Sequence, residues 1–159
     1  MADVDDVAAM AGELLEEIMQ RIEQPAFNFN LADTSARLRA FIEQDKYTVF
    51  VARGLDGQAC GFVSLYECHA LYAEGAFGTI AELFVRGPWR SSQVGHHLLQ
   101  SGKAFALRKG WRRLEVTTPP LPQFERTLDF YERQGFAISG GRKLSLSAFS
   151  ASTTQAKVS

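Results

Sequence analysis

The sequence predicts a single domain of mixed α/β class, with one mixed, mostly antiparallel sheet flanked by helices. Segments with helical spacing of apolar residues open the chain, strand-like segments follow, and a strand–turn–helix–strand unit comes after them. A chain of 159 residues, 46% of them hydrophobic, is long enough to build one core. We expect the domain to span residues 1–149 and a disordered tail to span residues 150–159.

Two helices are predicted at the start of the chain. Asp3 or Asp6 can cap the first helix, which ends before Pro25. Its apolar residues form one stripe that should face the core: Val7, Met10, Leu14, Leu15, Ile18 and Ile22. After a loop, the second helix is predicted from Thr34 to Gln44.

Strands are predicted from Tyr47 to Arg53 and from Gln58 to Ala70, joined by a turn that contains Asp-Gly. A looser connection then leads to a third strand, which contains Glu82. These three consecutive strands should form an antiparallel meander. A long helix separates the third strand from a strand over Trp111 to Thr118, so a right-handed crossover makes these two strands parallel.

A short helix and a last pair of strands are predicted near the C-terminus. The segment FERTLDFYERQ has helical spacing and is closed by Gly135. Strands from Phe136 to Ser139 and from Lys143 to Phe149 would lie on either side of Gly140 and Gly141.

Composition and charge argue against several functional classes. A net charge of −1 provides no overall field for nucleic acid or an anionic membrane. No window approaches the ~20 apolar residues of a membrane span, and the acidic N-terminus lacks the pattern of a leader peptide. Cys60 and Cys68 are too far apart on one strand to pair and do not show metal-ligand spacing. We therefore expect a cytoplasmic protein without metal, nucleic acid or membrane partners.

The stretch from Ile80 to Leu107 is the candidate binding unit. Its strand ends at a turn rich in Gly, Pro and Ser, and a helix begins near Ser92 and runs to about Lys109. The start of a helix carries unpaired N–H groups and a partial positive charge, so it can bind an anion such as phosphate. Arg90 would lie beside this anion, and Gly95 would leave the backbone accessible. Such units also occur without any ligand, so both interpretations stay open.

The run Arg90-Ser91-Ser92-Gln93-Val94-Gly95 resembles the Q/R-x-x-G-x-G/A loop of the GNAT superfamily of acyl-CoA N-acyltransferases. In that family the loop binds the pyrophosphate of coenzyme A. The first and last positions match, and Gln93 stands where the first glycine would be. About 40 residues later, FYERQGF (Phe130 to Phe136) resembles a second family motif, a helix with an aromatic-tyrosine pair. The two motifs in this order are more specific than either alone.

The resemblance implies acetyl-CoA as co-substrate and no metal. The residues implied to bind the diphosphate are Arg90, Ser91, Ser92, Gln93, Val94, Gly95 and His96. The family's sheet splays between its two parallel central strands, which would free backbone groups around Phe84 and Val85 for the pantetheine amides. The strand that usually opens the family fold is missing or vestigial here. The family's asparagine, seven residues before its tyrosine, is Phe124 here.

Glu82 and Tyr131 are the candidate catalytic residues. A carboxylate in a strand that is apolar on both faces needs a partner or water, and the family often has a proton-accepting acid at a similar position. A structural salt bridge is the alternative for Glu82. Tyr131 matches the tyrosine that protonates the departing thiolate, with packing as the alternative. Glu67, Glu74 and His69 are rival bases.

The resemblance therefore implies direct transfer of an acetyl group from acetyl-CoA to a primary amine of a small molecule or protein. Phe27, Phe29 and Glu74 are candidates for the acceptor site, although Phe27 and Phe29 can also be packing residues. A non-catalytic acyl-CoA-binding regulatory module is the second hypothesis, motivated by Gln93 and Phe124. A homodimer through sheet edges is a further expectation.

Overall fold

The computed structural model describes residues 3–147, which contain four α-helices and one four-stranded sheet. In chain order the elements are α1 (Asp3–Ile22), α2 (Leu31–Glu43), β1 (Thr48–Arg53), β2 (Ala59–Ala70), β3 (Gly75–Val85), α3 (Val94–Lys109), β4 (Leu114–Val116) and α4 (Glu125–Arg133). The strand order is β1-β2-β3-β4, and only the β3–β4 pair is parallel. The predicted mixed sheet flanked by helices is confirmed, although β4 is an edge strand within these residues rather than a central one.

Helices α1 and α2 cover one face of the sheet. The buried residues on this face are Val4, Val7, Met10, Leu38, Ala59, Phe62 and Phe84. Helix α2 begins at Leu31 rather than at Thr34, because Asn30 caps it. The side chain of Asn30 accepts a hydrogen bond from the backbone N–H of Asp33 at 2.9 Å. The cap therefore lengthens the helix by about one turn.

Helix α3 covers the opposite face, together with part of α4. The buried residues here are Val63, Leu65, Ile80, Leu98, Leu99, Ala106, Trp111 and Tyr131. Because side chains alternate along a strand, β2 presents Val63 and Leu65 to α3 and presents Phe62 and Ser64 to the other face. Both faces of the middle strands are thus covered, which explains their nearly continuous apolar sequence.

Strand β3 is irregular at the point where it leaves β4. Its register against β2 shifts between Ile80 and Glu82, so Ala81 is an extra residue that forms a β-bulge. The parallel pairing with β4 ends at the pair Ile80–Val116. From Ala81 to Val85, β3 has no β4 partner among the described residues. The expected splay between the parallel strands lies here.

Two predicted strand boundaries were wrong. Strand β3 begins at Gly75, without the looser connection, because Ala70 and Gly75 pair and close a tight hairpin. Strand β4 has three residues, fewer than the predicted Trp111–Thr118. The Trp111 side chain is buried instead, and its Nε1 donates a hydrogen bond to Glu67 Oε2 at 2.7 Å.

The predicted last pair of strands is not formed within the described residues. No strand is present from residue 136 to residue 147, and the side chains of Ile138, Leu144 and Leu146 are exposed. Strands need partners for their backbone groups, and the three-residue β4 offers a short edge. Residues 148–149 of the second predicted strand, and the predicted tail, lie outside the described residues.

Candidate active site

A cavity of about 570 Å³ opens where β3 separates from β4. Its walls come from α1, β3, the start of α3, the segment after β4 and α4. It brings together most of the residues predicted from sequence: Glu82, Phe84, Val85, Arg90, Ser91, Gln93, Val94, Gly95, His96 and Tyr131. Ser92 is not part of the lining, and its hydroxyl donates to the backbone oxygen of Trp89. The volume is typical of a small-molecule site.

The three residues predicted for the acceptor do not line this cavity. Phe29 packs on α1, since a Cβ built on Gly12 would lie 2.5 Å from its ring. Phe27 is exposed in the loop between α1 and α2. Glu74 lies in the β2–β3 turn, where Arg112 Nη1 pairs with its Oε2 at 3.2 Å.

The rival bases Glu67 and His69 also lie outside the cavity lining. Glu67 accepts a hydrogen bond from buried Trp111, and its other carboxylate oxygen is 3.5 Å from His69 Nε2. His69 is mostly exposed. The cavity therefore favours Glu82 as the base among the predicted acids.

Glu82 lies next to the bulge and is held by two hydroxyl groups. Ser64, which is 1% exposed, donates to Oε1, and its Oγ also accepts the Glu82 N–H at 3.0 Å. The hydroxyl of Tyr47 donates to Oε2 at 3.4 Å. Burial raises the pKa of Glu82, and the bonds from Ser64 and Tyr47 oppose that rise. Within residues 3–147 Glu82 forms no salt bridge, so the predicted alternative of an arginine partner is absent there.

Tyr131 is buried between two phenylalanines. Its ring centroid lies 5.3 Å from that of Phe130 and 5.3 Å from that of Phe136. Among the described residues its hydroxyl has no hydrogen-bond partner, yet it is not a fully enclosed atom, so it reaches the cavity surface. Burial raises the pKa of Tyr131. The phenol therefore stays protonated at neutral pH and can donate to a ligand.

The first turn of α3 presents backbone donors to the cavity. Gln93 caps the helix with φ 70°, in the left-handed region that favours glycine. Gln93 thus has a backbone conformation suited to the glycine of the family motif. The first helical bond runs from His97 N–H to Gln93 O at 3.0 Å. The N–H groups of Val94, Gly95 and His96 therefore have no partner within the helix and can bind an anion.

Arg90 is engaged by neighbouring protein groups. Its Nε donates to the backbone oxygen of Val85 at 2.7 Å, and its Nη2 pairs with Glu17 Oε1 at 2.9 Å. The guanidinium also lies 5.5 Å from the ring centroid of Phe84. These contacts join α1, the end of β3 and the loop before α3. Arg90 thus lines the cavity while its guanidinium is bound to neighbouring protein groups.

Beyond Ile80, successive residues of β3 direct their backbone N–H and C=O groups alternately to β2 and to the gap beside β4. The N–H groups of Glu82 and Arg86 both point to β2, where they donate to oxygen atoms at 3.0 and 2.8 Å. By alternation, Leu83 and Val85 direct their backbone groups into the gap beside β4, and Phe84 faces β2. Leu83 was missed by the sequence analysis, because the alternation could not be assigned before the pairing of β3 was known.

Two arginines on α4 also line the cavity and were not predicted from sequence. Arg126 and Arg133 are about two turns apart, so both lie on one face of the helix. Neither forms a salt bridge with another residue in the range 3–147. The sequence feature that could have identified them is their spacing in FERTLDFYER, which puts both on one face of the helix. Phe124 is 3% exposed, with the Arg21 guanidinium 5.2 Å from its ring centroid, so this position is apolar.

Two kinds of feature are absent from the part of the chain that the structure describes. Residues 3–147 contain no group of three or more His, Cys, Asp or Glu side chains arranged to hold a metal ion. None of their helices combines the length and the apolar character that crossing a bilayer requires.

A split parallel strand pair, an open helix start and a partly buried acid thus meet at one cavity. A sequence model of the acetyltransferase (GNAT) family matches residues 15–136, which include most of the cavity walls. The chain belongs to this family. No curated protein sequence matches the chain significantly.

Solved structures share the fold. An integron cassette protein from the mobile metagenome of Cole Harbour Salt Marsh superposes with a TM-score of 0.74 and 22% identity, over 92% of this chain and 85% of that chain. A ribosomal-protein-alanine N-acetyltransferase from Brucella melitensis gives 0.66 and 17%, over 91% and 94%. An aminoglycoside acetyltransferase from an uncultured soil sample gives 0.65 and 22%, over 90% and 91%. At these identities the likeness shows the fold alone.

Proposed function

We propose that the protein transfers an acetyl group from acetyl-CoA to a primary amine of a small molecule or a protein. The observation that carries this proposal is that the open edge of β3, the start of α3, Glu82 and Tyr131 all face one cavity. Family membership supports acyl transfer. Two structural neighbours are named for acceptors that carry amines, an alanine of a ribosomal protein and an aminoglycoside, which supports an amine acceptor.

The groups that line the cavity fit acetyl-CoA. The free N–H groups of residues 94–96 suit its diphosphate, and Arg126 and Arg133 add positive charge for its phosphates. The backbone groups of Leu83 and the N–H of Val85 suit the amides of its pantetheine arm, while the Val85 oxygen already accepts a hydrogen bond from Arg90. When bound, acetyl-CoA supplies a thioester that an amine can attack.

Glu82 and Tyr131 provide the two proton transfers that direct transfer needs. The acceptor ammonium gives one proton to Glu82, its nitrogen then bonds to the acetyl carbon, and the C–S bond breaks. Tyr131 gives a proton to the departing thiolate, and the proton lost from the nitrogen as the amide forms restores the phenol. The raised pKa of Glu82 makes it a better base near neutral pH, and the raised pKa of Tyr131 keeps it an acid.

Thiol release from acetyl-CoA in the presence of a panel of amines tests this function. Glu82→Gln should lower kcat/KM by roughly 10²–10⁴-fold, and Tyr131→Phe should lower kcat by a similar range, because each loses one proton transfer. Glu43→Gln, at the exposed end of α2, and Tyr72→Phe, at an exposed turn, are the matched controls. Unchanged rates in both site variants would contradict the assignment. Stabilisation by NAD but not by acetyl-CoA would contradict the donor.

A non-catalytic acyl-CoA-binding module is the second candidate. Phe124 favours it, because the family's polar asparagine is replaced by a buried apolar ring. Gln93 favours it less than the sequence suggested, because its backbone is in the left-handed conformation. This candidate predicts that acetyl-CoA binds and raises the melting temperature, while no amine in the panel causes thiol release.

A further inference from the structure

We propose that the acceptor is a cationic primary amine on an apolar aryl or alkyl arm, bound along a row of three aromatic rings whose middle ring touches Glu82. The row consists of Phe41 on α2, Tyr47 just before β1 and Tyr66 on β2. The inference rests on the proposed acyl transfer and adds the chemical class of the acceptor.

The aromatic row is fixed in place and open at one end. The ring centroid of Tyr47 lies 5.0 Å from that of Phe41 and 6.0 Å from that of Tyr66. The ring planes of Tyr47 and Tyr66 are nearly parallel, with an angle of 8° between them. The backbone N–H of Tyr47 also donates to the Phe41 oxygen at 3.2 Å. Tyr66, the outer ring, is 36% exposed. A preformed aromatic surface therefore faces solvent at Tyr66, next to the cavity wall at Glu82 but outside the cavity lining.

The row and the proposed base lie on the same face of the sheet. The Tyr47 hydroxyl donates to Glu82 Oε2 at 3.4 Å, so one end of this ring touches the carboxylate. Ser64, which bonds the other carboxylate oxygen, is two residues from Tyr66 on β2, so their side chains share a face and are ~7 Å apart along the strand. An ammonium at Glu82 would thus have Tyr66 within reach of an arm of a few carbon atoms.

The groups in contact with the Glu82 carboxylate favour a cation beside it, and among residues 3–147 the arginines of the cavity wall lie outside salt-bridge range of that carboxylate. Both protein contacts of the carboxylate are neutral hydroxyls, and within residues 3–147 no basic group lies in salt-bridge range of it. A partly buried carboxylate is stabilised by a cation, and aromatic rings attract ammonium groups. An α-amino acid would place its own carboxylate against Glu82. Amino acids should therefore be poor acceptors compared with amines of the same arm.

Phenethylamine and phenylalanine are the matched probes, because they differ by the carboxylate alone. With acetyl-CoA held constant, we expect kcat/KM for phenethylamine to exceed that for phenylalanine at least roughly tenfold. Tyr66→Ala should raise KM for phenethylamine roughly tenfold with kcat nearly unchanged, because the arm is bound equally before and during the reaction. Tyr66→Leu, which keeps an apolar side chain on the strand, should raise KM for phenethylamine by a smaller factor than Tyr66→Ala does. Tyr72→Ala, an exposed tyrosine in the β2–β3 turn, is the control.

Equal turnover of the two probes, or an unchanged KM in both Tyr66 variants, would overturn the inference. Calorimetric binding of phenethylamine to wild type and to Tyr66→Ala gives a readout that does not need turnover, and equal affinities would also overturn it. If other amines release thiol and phenethylamine does not, the acceptor class is wrong and acyl transfer stands. If no amine releases thiol while acetyl-CoA binds, acyl transfer itself is wrong.

Discussion

Glu82 combines a proposed role in proton transfer with burial that disfavours its charged form. Burial raises its pKa above the ordinary value of 4.5, so the folded protein holds the proton more tightly than the unfolded chain does. The linked contribution to stability is therefore fully present below the unfolded pKa, and it is lost as pH rises through the folded pKa. Above the unfolded pKa, burial of this carboxyl group therefore makes the fold less stable than a neutral isostere would.

We therefore expect Glu82→Gln to be more stable than wild type at neutral pH. The free energy of unfolding, measured by urea denaturation, should differ little between them near pH ~4, and the difference should grow as pH rises from there until it passes the raised pKa of folded Glu82. Glu43→Gln, at an exposed position, should show no such growth. A variant that is less stable than wild type at every pH would show instead that the hydrogen bonds from Ser64 and Tyr47 outweigh the burial.

The sequence identified single residues best where a local motif marked them. The loop from Arg90 to Gly95 could be located because its residues are contiguous and it precedes a helix. The partners of its side chains could not be predicted, since Glu17, which pairs with Arg90, is 73 residues away in the chain. Glu82 was selected for its unusual place in an apolar strand, but its hydroxyl partners are Tyr47, just before β1, and Ser64 on β2. Partners of this kind depend on the strand register, which the sequence did not specify.

Among the secondary-structure elements, the helices α1, α3 and α4 were predicted closely, because each repeats apolar residues at helical spacing over several turns. The start of α2 was missed, because Asn30 stands in a connector with mixed polar and aromatic residues. Strand β4 is shorter than predicted, because tertiary packing overrides strand propensity there. Trp111 fills the core instead of pairing with a neighbouring strand.

Helix α4 supplies a prediction of its own, because Arg126 and Arg133 face the cavity without salt-bridge partners in residues 3–147. Each Arg→Ala change should weaken acetyl-CoA binding roughly tenfold, because a charge-assisted contact with phosphate is lost. The dependence of the dissociation constant on salt should become less steep, and urea denaturation should show little change in stability. Calorimetric titration at two salt concentrations measures both effects.

The control for these variants is Arg39→Ala, which removes an exposed arginine from α2 and changes the net charge equally. An equal loss of affinity in Arg39→Ala would show that the overall charge, and not the position on α4, governs binding. Retained affinity in both α4 variants would leave the helix start and the β3 edge as the phosphate and amide contacts.

Across the whole molecule, the strand order could be deduced because short hairpins and a right-handed crossover leave few arrangements. The cavity was harder to predict. Its walls come from α1 near one end of the chain and α4 near the other, on either side of β3. Only the stretch from β3 to α3 is local in sequence, so only that part of the lining, with Tyr131 from the second motif, could be named in advance. The strands predicted from Phe136 onward are not formed in the part of the chain that the structure describes, because a strand needs the edge of a neighbouring strand to pair with.

Two glycines lie in close contact with aromatic rings, and substitution of each glycine tests how firmly its neighbouring ring is packed. A Cβ on Gly78 of β3 would lie 2.2 Å from the ring of Trp111, which is 8% exposed and bonded to Glu67, so the ring can shift only by disturbing the packed core. A Cβ on Gly12 of α1 would lie 2.5 Å from the outer edge of the Phe29 ring, which is 40% exposed and can move into solvent.

Gly78→Ala should therefore lower the free energy of unfolding by about 1–3 kcal/mol, as overpacking of a core does. Gly12→Ala should leave that free energy unchanged or raise it by up to about 1 kcal/mol, because alanine favours the helix and the displaced ring is at the surface. Urea denaturation followed by tryptophan fluorescence measures both, and the native emission should change only in Gly78→Ala, because Trp111 must shift. Equal destabilisation in the two variants would mean that the α1–α2 loop is packed as firmly as the junction of β3, β4 and α3, and the acceptor would then have to bind without any movement of that loop.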